Sequence, residues 1–355
     1  MLSRVGSHHG GQLPYWKVLI EKMMREGYME AIFSTSTVAA GVNFPARTVV
    51  LVQSDRFNGH EFVDLTATDL HQMIGRAGRR GKDRIGFSLV LSGPYQDPRL
   101  IHKLRDSPPE PILSQIHINF SMTLNLLLSH TPLKVKGLLD RSFAAFQERG
   151  EVGVSYGSGD GYASSGLWTE FTKHVRFLKE TGFVDETARL TSDGYWASKL
   201  RLDQPLLIAE AIRKGSFNNL SPEVLAGGLA PFVWDKGQEV ELRKGEVVDV
   251  REMEQIFEKL VGCIKKIRAL KAKQGFESPP ILFWPAAAVY VWARGVSWKR
   301  LLEFVHIDEG DIASLITRSA DHLRQVINLK ETHPQLSSVA EEAVEMLLRE
   351  PVYID

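Results

Sequence analysis

The chain has 355 residues, with 43 acidic and 43 basic side chains, a formal net charge of zero and one cysteine, Cys263. That length allows two or three domains with cores of their own, and the charge balance excludes a protein that coats nucleic acid indiscriminately while leaving room for a local basic track. A lone cysteine excludes an internal disulfide framework and a multi-cysteine zinc site. No run approaches the ~18 apolar residues of a membrane span, and the amino terminus lacks the pattern of a secretory signal, so no membrane association and a cytoplasmic location are expected.

The first hundred residues alternate helix and strand. Trp16, Leu19, Ile20, Met23 and Met24 stripe a helix over Trp16 to Glu26, which Gly27 closes. Ala31 to Thr35 reads as a short buried strand, and Val49 to Val52 as another. Thr66-Ala67-Thr68-Asp69 supplies capping residues for a helix through Leu70, Met73 and Ile74. Phe87 to Leu91 reads as a third strand. This alternation predicts a parallel sheet with helices on its faces.

Beyond residue 105 the pattern turns helical. Ile112 to Leu128 reads as apolar and mostly helical, and Val135, Leu138, Leu139, Phe143 and Phe146 form a second stripe. Residues 150–166 are rich in Gly and Ser and read as a flexible loop. A third helix is expected over Leu167 to Thr181, then two short strands around a turn within Phe183 to Thr191. Three helices and a hairpin are the layout of a winged helix. From Leu202 onward helices dominate, among them an amphipathic one over Glu252 to Lys271 and one striped by Ile312, Leu315, Ile316, Leu323, Val326 and Ile327.

Two segments carry the chemistry. In Gln72-Met73-Ile74-Gly75-Arg76-Ala77-Gly78-Arg79-Arg80-Gly81, two arginines three apart are expected on one face of a helix end, within reach of a common anion. A planar guanidinium binds phosphate oxygens in pairs and keeps its charge. The plain alternative is a basic, solvated helix end. Upstream, Phe33-Ser34-Thr35-Ser36-Thr37-Val38-Ala39-Ala40-Gly41-Val42-Asn43-Phe44-Pro45-Ala46 passes from a strand into a hydroxyl-rich turn, which suits a nucleic-acid phosphate or equally a capped turn on an α/β sheet.

In this order the two segments resemble motifs five and six of superfamily-two helicases. The Gly-Val-Asn-Phe-Pro-Ala variant and the Gln-led sixth motif are similar to the superkiller type of DExH-box helicase, which includes exosome-associated RNA helicases. Gly6-Ser7-His8-His9-Gly10-Gly11 resembles the family's His-His segment; the same histidines without further ligands are poor evidence for a metal, and no metal is expected on this chain. Phe120 to Leu127 and Arg141 to Gln147 look like the family's winged helix. Leu225 to Val233 and Val291 to Trp298 are similar to its carboxy-terminal helical domain.

The resemblance implies a division into a truncated second RecA-like lobe over 1–105, a winged-helix domain over 106–200 with loop 150–166 in place of an arch insertion, and a helical, ratchet-type domain over 201–355. It implies that Arg76 and Arg79 reach the ATP γ-phosphate, that Gln72 orients nucleotide and partner groups, and that Gly41, Asn43 and Gly75 lie at the nucleotide. Thr35 and His9 would meet the nucleic-acid backbone, as would Arg318 and Arg324 on the polar side of the ratchet helix. For Arg318 the alternative is an ion pair with Asp321. A strand-separating hairpin is expected near Phe62 to Thr68.

The sequence contains no Gly-x-x-x-x-Gly-Lys-Ser/Thr loop. Asp185-Glu186-Thr187-Ala188 looks like a DExx box but falls in the expected wing turn. ATP and Mg2+ are therefore expected to be held mainly by an amino-terminal lobe that is not in this sequence, and the chain alone is expected to be inactive as an ATPase. Met1 falls inside the expected lobe, which implies part of a longer protein or a shortened product. Single-stranded RNA or DNA is the expected partner, with RNA ahead of DNA because the helical carboxy-terminal match leans that way. The competing reading is a non-catalytic nucleic-acid-binding or protein-interaction module with remnant motifs. The oligomeric state is not legible in these residues.

Overall fold

In a computed structural model, residues 4–35, 46–58, 61–151, 166–243 and 249–353 are described. They fall into two units, one made of residues 1–112 with 308–313, the other of 113–307 with 314–355.

In the first unit, strand β1 (Val5–His8) pairs in parallel with β2 (Ala31–Ser34), with Val5 opposite Ala31 and His8 opposite Ser34. Helix α1 (Pro14–Arg25) joins them. Proline at its first turn gives up no hydrogen bond, because that amide has no helical partner anyway. Gly27 ends the helix at φ +83°, a left-handed conformation that glycine adopts without a Cβ clash. Strand β1 was not expected: Gly6, Ser7 and His8 carry no β-branched signal. Packing accounts for it. A Cβ on Gly6 would lie 2.6 Å from the Met29 Cε and 3.0 Å from the buried Ile20, so glycine lets the strand settle there.

A second parallel pair follows, β3 (Thr48–Leu51) with β6 (Phe87–Val90), Thr48 opposite Phe87. Between them lie the antiparallel β4 (Asp55–Phe57) and β5 (Phe62–Asp64) and helix α2 (Ala67–Ile74); α3 (Pro98–Asp106) comes after. The paired strands are thus Asp55–Phe57 and Phe62–Asp64, beginning upstream of the expected Phe62 to Thr68. Thr66 is spent on α2: its hydroxyl accepts the Asp69 amide while the Asp69 carboxylate accepts the Thr66 amide, a reciprocal cap. Leu51, Leu65, Ala67, Leu70, Ile101 and Leu104 form the core beneath α2 and α3. The Glu110 carboxylate accepts the Ala67 and Thr68 amides, both at 2.8 Å, satisfying two donors that a helix start leaves open.

The second unit is helical. Helix α4 (Phe120–Ser129) starts later than the apolar run suggested, because the Asn119 side chain accepts the Met122 amide and fixes the start there. The stripe from Leu133 to Phe146 divides into α5 (Pro132–Leu139) and α6 (Phe143–Glu151). Helix α7 (Gly166–Glu180) matches expectation. Residues 152–165 of the expected flexible loop lie outside the described residues.

The expected hairpin is reduced to a single bridge, Val184 with Leu190. Asp185 takes over the turn: its Oδ1 accepts from the Thr187 amide, the Thr187 hydroxyl and the Arg189 amide at 2.7–2.9 Å. A carboxylate so occupied is a turn anchor, which disposes of the apparent DExx box.

Helices α8 (Ser192–Ala197), α9 (Pro205–Arg213), α10 (Pro222–Leu229), α11 (Arg251–Lys273), α12 (Phe283–Ala293), α13 (Trp298–Phe304), α14 (Glu309–Ile327) and α15 (Pro334–Leu347) complete the chain. Every residue of α12 from Trp284 to Ala293 is buried, as an all-round apolar helix must be. Helix α10 approaches it through Gly227, where a Cβ would stand 2.9 Å from the Ala286 carbonyl oxygen. The Trp292 indole donates to the Leu347 carbonyl, and the Arg349 guanidinium lies 3.3 Å above the Trp292 ring. Among the described residues no helix is long and apolar enough to cross a membrane.

Candidate functional site

The expected site residues separate into three places. The first is the carboxyl end of β1 and β2. The His8 carbonyl accepts the Thr35 amide at 3.4 Å, carrying the pairing one residue past the strands. His8 is buried, with Nε2 3.2 Å from Glu21. His9 is half-buried in the turn that follows. Gln12 shapes this turn, accepting the His9 amide through Oε1 and donating through Nε2 to the Ser7 hydroxyl at 2.7 Å. Thr35 and His9 therefore sit side by side at adjacent strand ends, the position where open α/β sheets present ligand-binding groups.

The second place is the arginine loop. Gln72 is exposed in the last turn of α2, and Gly75 caps that helix at φ −63°. The helix has ended before either arginine is reached, which corrects the expectation of two guanidinium groups on a helix face. Instead the loop is hung on the end of the preceding motif. The Ala46 amide donates to the Arg76 carbonyl at 3.1 Å, and the Gly78 amide donates to the Ala46 carbonyl at 2.7 Å. Ala46 and Ala77 form a parallel bridge. Gly78 and Gly81 adopt φ +91° and +76°, so two of the three motif glycines serve left-handed turns.

Two further residues fix this loop, and sequence reasoning missed both. Asp83 takes the Arg79 Nε at 2.7 Å, the Arg79 Nη2 at 3.0 Å and the Arg79 amide at 3.0 Å. The guanidinium hydrogen bonds, the amide and the charge of Arg79 hold the Asp83 carboxyl down at about 2. Arg79 Nη1 has no hydrogen bond among the described residues. Gly86 is the other. A Cβ there would fall 2.5 Å from the Ala77 carbonyl carbon and oxygen and 2.6 Å from the Gly78 nitrogen. Asp83 had a signal, as the one acid in a run otherwise basic from Arg79 to Arg84. Gly86 had none.

The third place is the polar side of α14. Arg318 does not pair with Asp321. Its Nη2 lies 2.8 Å from Asp203 and 3.6 Å from Asp235, while Asp321 takes Arg324 at 2.8 Å. His322, one turn beyond Arg318, is buried and gives its Nδ1 to the Arg318 carbonyl at 3.0 Å; burial pushes its pKa down. Gly41 and Asn43 lie outside the described residues. Among the described residues no three or more His, Cys, Asp or Glu side chains converge on a possible metal position.

Residues 3–81 match the helicase conserved C-terminal domain, and residues 187–354 match the DSHCT (NUC185) domain. The chain is 37% identical over 161 residues to the probable helicase HelY of Mycobacterium leprae, an alignment that covers 44% of this chain and 18% of that protein. Against human superkiller complex protein 2 the identity is 31% over 266 residues, 74% of this chain and 20% of the relative. Against the human exosome RNA helicase MTR4 it is 37% over 143 residues, 40% of this chain and 14% of the relative. The chain thus spans a fifth or less of the length of these curated relatives.

Proposed function

We propose that this chain, which matches the carboxy-terminal part of the DExH-box helicases of the superkiller and exosome-associated type, supplies the arginine side of an ATP site and the surfaces that handle a nucleic-acid strand. The observation that carries this reading is the pinned arginine loop. Arg79 is fixed through Nε, Nη2 and its own amide, which leaves Nη1 for a phosphate oxygen. A guanidinium held in place beforehand loses little freedom when an anion arrives.

The loop's donor set fits a nucleotide phosphate: guanidinium groups and glycine-exposed backbone, with its one carboxylate already neutralised by Arg79. ATP with Mg2+, when bound, supplies a phosphoryl group whose charge spreads as the bond to its leaving oxygen loosens. Arg76 and Arg79 stabilise that charge, and Gln72 and Gly75 border them on α2. Because Ala46 is bonded to both Arg76 and Gly78, a shift of the arginine loop must move Ala46; the nucleotide contacts of Gly41 and Asn43 are assigned from the family resemblance alone. Thr35 and His9 take the strand backbone at the carboxyl ends of β1 and β2. In the second unit Arg318 and Arg324 would meet phosphates by exchanging Asp203, Asp235 and Asp321 for them.

In this reading residues 1–105 form part of a RecA-like lobe, 106–200 a winged helix and 201–355 a ratchet-type helical domain. Single-stranded RNA is the substrate, ahead of DNA, and the location is cytoplasmic. The ATP-anchoring lobe is supplied by further polypeptide. Purified chain should show no magnesium-dependent ATP turnover. In a longer form that carries both lobes, Arg79→Ala should lower kcat by about 10³-fold or more while strand binding survives, as removal of an arginine finger does. Turnover by this chain alone, or full turnover after Arg79→Ala, would refute the reading.

A further inference from the structure

Helix α11 stands apart in a chain whose charges balance over its whole length. From Lys259 to Lys273 it carries Lys259, Lys265, Lys266, Arg268, Lys271 and Lys273 and not one acid. Its buried side is Met253, Leu260, Ile264, Ile267 and Lys271. Lys259, Lys266 and Lys273 recur every seventh residue on the opposite side and are all exposed. At 1.5 Å rise per residue they form a row about 21 Å long. Gly262 and Ala269, also exposed, fill the places between, and Lys265 stands on the row's shoulder.

Solvated helix faces usually alternate charge, so that pairs three or four apart attract. Here Lys265 and Arg268, then Arg268 and Lys271, repel at that spacing. Burial and the Arg268 charge together push the Lys271 amine down to about 8. The helix C-terminus accounts for cations in its last turn only. Lys259, Lys265, Lys266 and Lys273 make no ion pair among the described residues. The acids nearby are spoken for or lie off the row: Glu180 accepts Gln274, Glu210 is held by Arg213 and Lys214, and Glu258 and Glu277 flank the run.

We propose that the Lys259–Lys266–Lys273 row of α11 is a binding track for the phosphodiester backbone of a nucleic-acid strand. Phosphate fits this face better than an acidic protein does. Protein interfaces centre on apolar or aromatic anchors and are depleted in lysine, and this row holds only glycine, alanine and lysine. It has no aromatic ring on which a base could stack, so binding here is sequence-independent and steeply salt-dependent. The track rests on the proposed function only for the presence of a strand. It needs neither nucleotide nor the arginine loop.

The test is binding of a fluorescent oligouridylate to the chain, followed by anisotropy over a salt series, with wild type, the Lys259→Gln/Lys266→Gln/Lys273→Gln variant and Lys299→Gln. Three lost phosphate contacts should reduce the slope of log K against log salt by about 2 and weaken binding about tenfold or more at low salt. The assay contains no nucleotide, so its outcome is independent of the motor reading, and Lys299→Gln, which removes an exposed cation on α13 away from the row, should leave this slope unchanged. Circular dichroism of the exposed-site variant should match wild type. An unchanged slope overturns the proposal. So does loss of polyglutamate binding with oligouridylate binding intact, which would assign the row to an acidic protein.

Discussion

Gly86→Ala tests how the arginine loop is built. The new Cβ would sit 2.5 Å from the Ala77 carbonyl carbon and oxygen and 2.6 Å from the Gly78 nitrogen. Ordinary carbon contacts are about 3.5 Å or longer, so something must move by about 1 Å. All three obstructing atoms are backbone, so no side-chain rotation relieves the clash. The loop has to slide off β6. That strains the Ala46 to Arg76 and Gly78 to Ala46 hydrogen bonds, at 3.1 and 2.7 Å. Overpacking costs about 1–3 kcal/mol, and each backbone bond contributes about 1 kcal/mol net. The expected loss in the first unit is therefore about 2–4 kcal/mol. Amide hydrogen exchange reads it locally, with the Ala46 and Gly78 amides losing protection together, alongside a lower urea midpoint. Gly93→Ala is the control, since a Cβ there meets nothing within 4 Å; it should stay within about 0.5 kcal/mol of wild type. Equal protection and an equal midpoint for Gly86→Ala and wild type would refute the construction of the loop described above.

Two further outcomes follow from the ion pairs. Asp83, held by Arg79, and Glu110, held chiefly by Thr68 and by the Ala67 amide, both have carboxyl pKa values lowered to about 2. A depressed carboxyl stabilises the fold above its unfolded pKa near 4, and that contribution is lost as pH falls through about 2. Carboxyl carbon shifts in NMR should titrate for both residues near 2, and Arg79→Gln should return Asp83 towards 4; midpoints near 4 in wild type would show the hydrogen bonds absent. In the second unit, Glu210 is buried between Arg213 and Lys214, with 7% of its side chain exposed. Arg213→Met leaves it one cation and should cost about 2–3 kcal/mol in urea unfolding. Adding Glu210→Gln should recover part of that loss, and a double variant as unstable as the sum of the two singles would show that the pair does not couple.

Periodicity carried the helices. The apolar stripe named over Ile312 to Ile327 is buried along α14 as far as Val326, with Ile327 half-buried at its end; the run over Glu252 to Lys271 is α11, and Gly27 and Thr66 mark helix boundaries where their chemistry says they should. These features depend on neighbours within a few residues. The failures share the opposite property. Strand β1 exists because Gly6 admits Met29 and Ile20, which no local preference announces. The hairpin after α7 collapsed to one bridge because a single carboxylate, Asp185, served three donors in the turn.

The arginines show why spacing alone misleads. Arg79 and Asp83 are four apart, a separation that pairs side chains on a helix and also, as here, across a glycine-broken turn. What chooses between them is the close approach of Gly86 to Ala77 and Gly78, which only glycine permits and which lies outside any helical window. Arg318 repeats the lesson over a longer distance. A partner three residues away, Asp321, is the natural expectation, but Arg324 claims that acid at 2.8 Å, and Arg318 turns to Asp203, 115 residues earlier in the chain. Periodicity therefore identifies which charges share a face, whereas competition among the acids around them decides which pairs form. A phosphate entering either site joins that competition. Arg79 enters it with Nη1 still unbonded, while Arg318 must first give up a carboxylate. On that ground the arginine loop is the site better prepared for an anion.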